Sequence, residues 1–304
     1  MRQFSKTSIA IFVLALYGSV SLAQAQVPQG APLPTVPLPA GPTTEAQAKY
    51  PASELDRIVS PIALYPDPLL AQVLAAATYS DQIVAAAQWA DVHHYLTGPA
   101  LTTAMAADQL PWDPSVQALL PFPSVLDMMS SDLPWTEEIG NAFLLQRPDV
   151  MDAVQRMRQK AVNYGYLVSG PQVVVKTGHY IEIVPVNPDF IVVPYYNPAV
   201  VFVAPRHGAV IAGSISFGHG VNLGVAFADW GWSANRFVWD QHTVIINNSP
   251  WQRTWENRGT YVHPYKVPRY AGPRPMDAHR PIERSPRERQ DERLGRGHTE
   301  EHRP

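Results

Sequence analysis

The 304-residue chain contains no cysteine. That absence excludes a disulfide scaffold, a thiolate zinc or iron–sulfur centre, a thiol nucleophile and a lipid-modified cysteine anchor. Charge is scarce: 16% of residues are Asp, Glu, Lys or Arg, against roughly 25% in an average soluble domain. The net charge of −3 argues against a nucleic-acid partner, which requires a basic footprint.

What the chain has in excess is proline, 31 residues, about twice the usual ~5%. Residues 26–52 are Pro-rich and uncharged for most of their length, the composition of an extended, semi-rigid linker. The segment before it reads as a signal peptide, residues 1–25. Arg2 and Lys6 precede the apolar run Ile9 to Tyr17, and Ala23-Gln24-Ala25 offers a small-residue cleavage site before Gln26. The run is too short to span a bilayer, so the expectation is export to the periplasm or beyond, with no membrane anchor after cleavage. Residues 271–304 hold eight Arg and seven acids with few apolar groups, which predicts a charged, disordered tail.

Between these ends the charge is divided. Residues 50–204 carry 15 acids and six cations, whereas residues 205–270 carry six cations and three acids. An acidic module is thus followed by a basic one, and salt-sensitive association of the two is one expectation.

Residues 53–165 read as short helices punctuated by proline. Pro68, Pro99, Pro114 and Pro148 fall where a helix begins, since a first-turn proline sacrifices no hydrogen bond. Asp67 and Asp113 precede such prolines as N-caps. The predicted inner faces are Leu70, Val73, Leu74 and Ala77, then Ile83, Val84 and Ala87. Leu110-Pro111-Trp112 recurs as Leu133-Pro134-Trp135, each followed by apolar residues at helical spacing: Val116, Leu119 and Leu120, then Ile139, Ala142 and Phe143. A last helix from Asp149 buries Val150, Met151, Val154, Met157 and Ala161. It directs Arg156, Arg158 and Lys160 outward, and stops at Gly165.

From Gln172 the period becomes that of strands. Residues 172–176 and 179–184 flank Thr177-Gly178 as a tight hairpin, and 190–193 and 200–203 continue as extended runs. The fold class is therefore α+β: an N-terminal bundle of short helices, a small antiparallel β meander over 53–205, then a Gly/Trp-rich, partly ordered segment over 206–270. Trp230, Trp232, Trp239, Trp251 and Trp255 crowd into that segment beside Arg253 and Arg258. Such a cluster is either a small core or an exposed aromatic surface, and the surface is the candidate interaction site.

Catalytic signatures are lacking. Gly213-Ser214-Ile215-Ser216-Phe217-Gly218 does not form a serine-hydrolase elbow, and Lys176-Thr177-Gly178 has no Ser-x-x-Lys to accompany it. His93 and His94 are adjacent, so on a helix they would not face one site, and there is no His-Glu-x-x-His. His207, His219 and His242 with Asp229 are weak metal candidates if the glycine-rich segment folds back. Asp67, Asp81, Asp91, Asp108, Asp113, Glu137 and Glu138 are the acids from which a glycosidase-type pair would be drawn, although several serve better as caps or first-turn charges.

The run from Glu54 to Tyr79, ELDRIVSPIALYPDPLLAQVLAAATY, together with LPWDPSVQALLPFPSVLDMM, RPDVMDAVQRMRQKA and VPYYNPAVV, resembles a bacterial exported family, domain of unknown function 3300. The resemblance covers about residues 53–205 and more weakly reaches 265. It implies a cell-envelope protein and assigns no catalytic residue and no cofactor. The expected role is a non-catalytic binding or structural module whose partner is an envelope protein, peptidoglycan or polysaccharide. The alternative is a carboxylate-dependent hydrolase of such a polymer.

Overall fold

The computed structural model describes residues 49–206 and 213–267. The expected signal peptide and disordered tail, nearly all of the Pro-rich linker and His207 lie outside the described residues. The helices are α1 (Ala52–Val59), α2 (Asp67–Ala77), α3 (Ser80–Val92), α4 (Gly98–Ala107), α5 (Pro114–Gln117), α6 (Pro123–Ser131), α7 (Leu133–Asn163) and α8 (Pro198–Val201). Proline stands at the first or second position of α2, α4, α5, α6, α7 and α8. Asp113, Asp132 and Asn197 cap α5, α7 and α8 by accepting from the backbone N–H of Ser115, Trp135 and Ala199. Each such cap contributes about 1 kcal/mol.

Asp67 does not cap α2. The cap position is Pro66, and Asp67 turns inward as a buried first-turn residue. The helix expected from Asp149 is the second half of α7, which breaks at Gln146 (φ −149°, ψ 51°) just ahead of Pro148. The Gln146 carboxamide meets that break by bonding both the N–H and the C=O of Tyr50, at 2.7 and 3.0 Å. Gly165, at φ 77°, ends α7. The N–H groups of Gly165 and Tyr166 return to the carbonyls of Val162 and Ala161, the bonding pattern of a left-handed glycine stop.

Every residue of α2 from Leu69 to Ala77 is buried, which makes it the central rod of the bundle. Gly140 of α7 lets the two helices touch: a Cβ there would lie 2.1 Å from the Ala77 carbonyl oxygen. The paired Leu-Pro-Trp helices behave as the spacing predicts. Val116, Leu119, Leu120, Ile139, Ala142 and Phe143 are all buried, and Trp135 donates its indole N–H to Ile58. In α3 the inner face is Ile83, Ala86 and Ala90, while Val84 is 39% exposed. Among the described residues no single helix is long and apolar enough to cross a membrane; α2 and α3 together reach that length but turn through 118°.

The strands are β1 (Val173–Thr177), β2 (Ile181–Pro185), β3 (Phe190–Ile191), β4 (Pro194–Tyr196), β5 (Ile215–Phe217), β6 (Val221–Asn222), β7 (Arg236–Val238), β8 (Thr243–Ile246) and β9 (Ser249–Pro250), all paired antiparallel. In the β1–β2 hairpin Thr177 opposes Ile181, so the loop is Gly178-His179-Tyr180, one residue longer than expected. Strands β3 and β4 pair with β6 and β5 respectively; their partners come from the glycine-rich segment. The run expected as extended over 200–203 instead begins inside α8, Pro198–Val201, because Asn197-Pro198 supplies both a cap and a helical first residue. Strands β8 and β9 turn through Asn247 and Asn248, both at positive φ, a conformation asparagine tolerates in hairpins.

One apolar core runs from Leu55 to Trp251, so residue 205 is not a packing boundary. A smaller core beneath the β1–β2 hairpin joins Leu64, Ala161, Leu167, Ile183 and Val201.

Candidate functional site

The tryptophan segment is interior. Trp251 is 1% exposed, and Trp230, Trp232 and Trp239 are also buried. Phe122 of the helical bundle lies 5.2 Å from the Trp232 ring. Arg253 is buried too, its guanidinium 3.6 Å from the Tyr79 ring and bonded to the Thr78 carbonyl. Of the expected interaction surface only Trp255 and Arg258 reach solvent, stacked on each other at 3.8 Å. The physical reason is area: alanine-rich helices leave apolar surface between them, and large aromatic rings cover it.

Buried hydrogen bonds as well as apolar packing join the two modules. Arg147 donates to the carbonyls of Trp251 and Arg253, both at 2.6 Å. Gln72, fully buried in α2, bonds Ser115, Tyr265 and Asn235. His242 and Asp152, 2.9 Å apart, also join residues 213–267 to residues 49–206. Buried hydrogen bonds and apolar packing are screened far less by salt than exposed charges.

Arg158, expected on the outer face of α7, is 0% exposed. It donates to Asp67 at 2.7 Å and to the carbonyls of Ala63, Tyr65 and Ile181. Asp67 accepts in addition from the Ile183 N–H and the Trp239 indole, each at 3.3 Å. Burial pushes the Asp67 carboxyl up against the opposing pull of Arg158. This node ties α2, α7, β2 and the aromatic segment together. It is enclosed and structural, since its carboxylate is fully engaged by protein donors.

The other candidate acids are also occupied or solvent-facing. Asp113 caps α5, Asp108 accepts from the Trp89 indole at 2.8 Å, and Glu138 pairs with Arg57 at 2.6 Å. Asp81, Asp91 and Glu137 are exposed. Among the described residues no group of three His, Asp or Glu gathers to hold a metal; His242 is spent on Asp152, and His219 stands elsewhere.

His219 lines a cleft of about 710 Å³ together with His93 and His94. One wall is the turn from α3 into α4, another is the α5–α6 connection at Leu120, Pro121 and Pro123, and the third is residues 219–227. Because α3 ends at Val92, the adjacent histidines sit in a turn and both border one space, contrary to the helix-based expectation. His93 stacks on Trp89 at 3.9 Å. Gly224 (φ 40°) bends the third wall, and a Cβ there would crowd Asn222 at 3.1 Å. Among the described residues no Asp, Glu, Lys or Arg lines this cleft, nor two smaller cavities of about 390 and 210 Å³. The available sequence signal was His93-His94 followed by Gly98-Pro99, a turn signature beside polar rings.

One titration bears on the aromatic segment. His263 packs between the rings of Trp251 and Tyr265, and burial pushes its imidazole below the ordinary 6.5. The unfolded chain therefore binds the proton first as pH falls. The stabilisation is complete above about 6.5 and declines as pH drops from there through the folded value. His263→Phe is expected to lessen the fall in melting temperature between pH 7.5 and 5.5; an unchanged fall would refute this assignment.

Comparison with known proteins agrees with this architecture. The model of a protein family of unknown function, DUF3300, matches residues 51–267, which takes in the aromatic segment as well as the helices. The chain is 34% identical over 234 residues to the uncharacterised protein YacH of Escherichia coli (strain K12), a match over 62% of this chain and 38% of that protein. The chain thus spans well under half the length of that relative. No solved structure matches. With the family model covering most of its length, and with the match ending where the aromatic segment ends, this chain belongs to the DUF3300 family.

Proposed function

We propose that this protein is an exported, non-catalytic binding module of the cell envelope that engages another envelope component through the cleft bordered by His93, His94 and His219. The observation that carries the reading is the lining of that cleft: polar rings and apolar faces with no carboxylate among the described residues. A hydrolase of the carboxylate type needs two acids held across a cleft. The acids that would supply them serve caps, ion pairs and the Asp67–Arg158 node, or face solvent. Export is supported by Arg2, Lys6, the run from Ile9 and Ala23-Gln24-Ala25.

The test uses the mature full chain, because residues 213–267 share a core with the helices. N-terminal sequencing of periplasmic material is expected to begin at Gln26. Zymography on sacculi and envelope polysaccharide is expected to show no clearing, while the same chain is retained by an envelope fraction and released when Val225 in the cleft is changed to Glu. A cleared band abolished by an Asp or Glu substitution would overturn the binding reading.

A further inference from the structure

We infer that the His93–His94–His219 cleft is a site for a neutral oligosaccharide, a deepening that rests on the binding reading above. The first argument is charge. Among the described residues no Asp, Glu, Lys or Arg borders the cleft, whereas sites for anionic groups are built around Arg or Lys forks. Its ligand is therefore neutral.

The second argument is the polarity of the hydrogen bonds the cleft can make. His93 Nδ1 lies 2.9 Å from the Trp89 carbonyl oxygen, and His94 Nδ1 contacts that of Asp91. A carbonyl oxygen only accepts, so in each neutral ring Nδ1 carries the hydrogen and Nε2 is left as an acceptor. Two residues that border the cleft thus each keep one ring acceptor, which suits a ligand rich in O–H or N–H donors. A polyol meets that demand. A proline-rich peptide, the other neutral polymer suited to an aromatic groove, has few N–H groups to offer.

The third argument is the apolar surface. Pro99, Pro121 and Pro123 present flat aliphatic faces to the cleft. Val225, 93% exposed, completes the opposite edge. A pyranose alternates apolar C–H faces with hydroxyl edges, which matches apolar walls carrying a few placed polar atoms. The volume of about 710 Å³ falls in the ligand-site range of roughly 300–1,000 Å³. Opposite the histidines, Gly220 and Gly224 leave the backbone open to close approach. A transition metal is not served by the same rings, since no trio gathers among the described residues.

The experiment is calorimetric titration of the mature chain with three probes: a neutral hexasaccharide of N-acetylglucosamine or of β-linked glucose, a hexauronate, and a polyproline decapeptide. A neutral hexasaccharide is expected to bind. The double variant His93→Leu/His94→Leu is expected to bind it about tenfold more weakly, as loss of two acceptors implies, with an unchanged melting temperature. Lys176→Ala, on the exposed hairpin, is expected to bind as the parent does. Preference for the hexauronate or the polyproline peptide, or equal affinity of the double variant, would overturn the saccharide assignment. If no sugar binds but a photoreactive group at position 225 crosslinks an envelope protein, the saccharide inference fails while the binding module stands. If nothing binds and zymograms clear, both fail.

Discussion

Arg158→Met is expected to lower the stability of the folded chain by about 3–5 kcal/mol, the penalty for breaking a buried pair from one side. The guanidinium is fully enclosed and makes four hydrogen bonds, to Asp67 and to the carbonyls of Ala63, Tyr65 and Ile181, while lying 5.2 Å from the Trp239 ring. Methionine fills much of the volume but leaves a buried carboxylate without its cation and three carbonyls without donors. Against a typical total stability of about 5–15 kcal/mol, that is a large share. Arg158→Lys recovers the charge but not the planar fork that reaches the separate acceptors, so most of the loss is expected to persist. The double variant Arg158→Met/Asp67→Leu is expected to be more stable than the single one, because it removes the stranded carboxylate. Urea denaturation followed by tryptophan fluorescence measures all three; a loss below about 1 kcal/mol for the single variant would show the node to be dispensable.

Trp251→Ala is expected to cost about 3–5 kcal/mol, the range for emptying an aromatic core site. Trp251 is 1% exposed and packs against Tyr261 and His263 at 5.2 and 5.1 Å. Its N–H bonds Val244 and its carbonyl receives Arg147. Trp255→Ala, at a partly exposed ring, is expected to cost about 1 kcal/mol or less. This pair separates a core role from a surface role within one cluster. Similar small losses at both positions would return the tryptophans to the surface.

The contrast between local and distant determinants explains which features were readable from sequence. Helix starts were legible because proline and its preceding Asp act within a turn, as at Asp113; Asn197-Pro198 carries the same signal but reads equally as a turn between strands, and there it caps α8. The inner face of the second half of α7 and the stop at Gly165 were legible by spacing alone. Asp67 obeys the same local pattern and yet does something else, because its partner Arg158 is 91 residues away. Arg158 was placed outside for the same reason: a cation on a helix reads as solvent-facing unless its acceptors are known. The tryptophans illustrate a different limit. Composition reports that aromatic area exists, but whether it is covered depends on how much bare surface the helices leave. The cleft was hidden by a boundary: His93 and His94 share a space only because α3 ends one residue before them.

The Asp67 node also carries a consequence for the order in which the chain is made. Asp67 leaves the ribosome 91 residues before Arg158 and 172 residues before Trp239. Contacts of such sequence separation form late. Until then the central rod has its carboxylate unmet and its apolar flank bare. A nascent or shortened chain ending before residue 251 therefore lacks the closing piece of its own interior. As the chain emerges N-terminus first, the early helices wait for Trp239 and Trp251 to complete the interior that Asp67 begins.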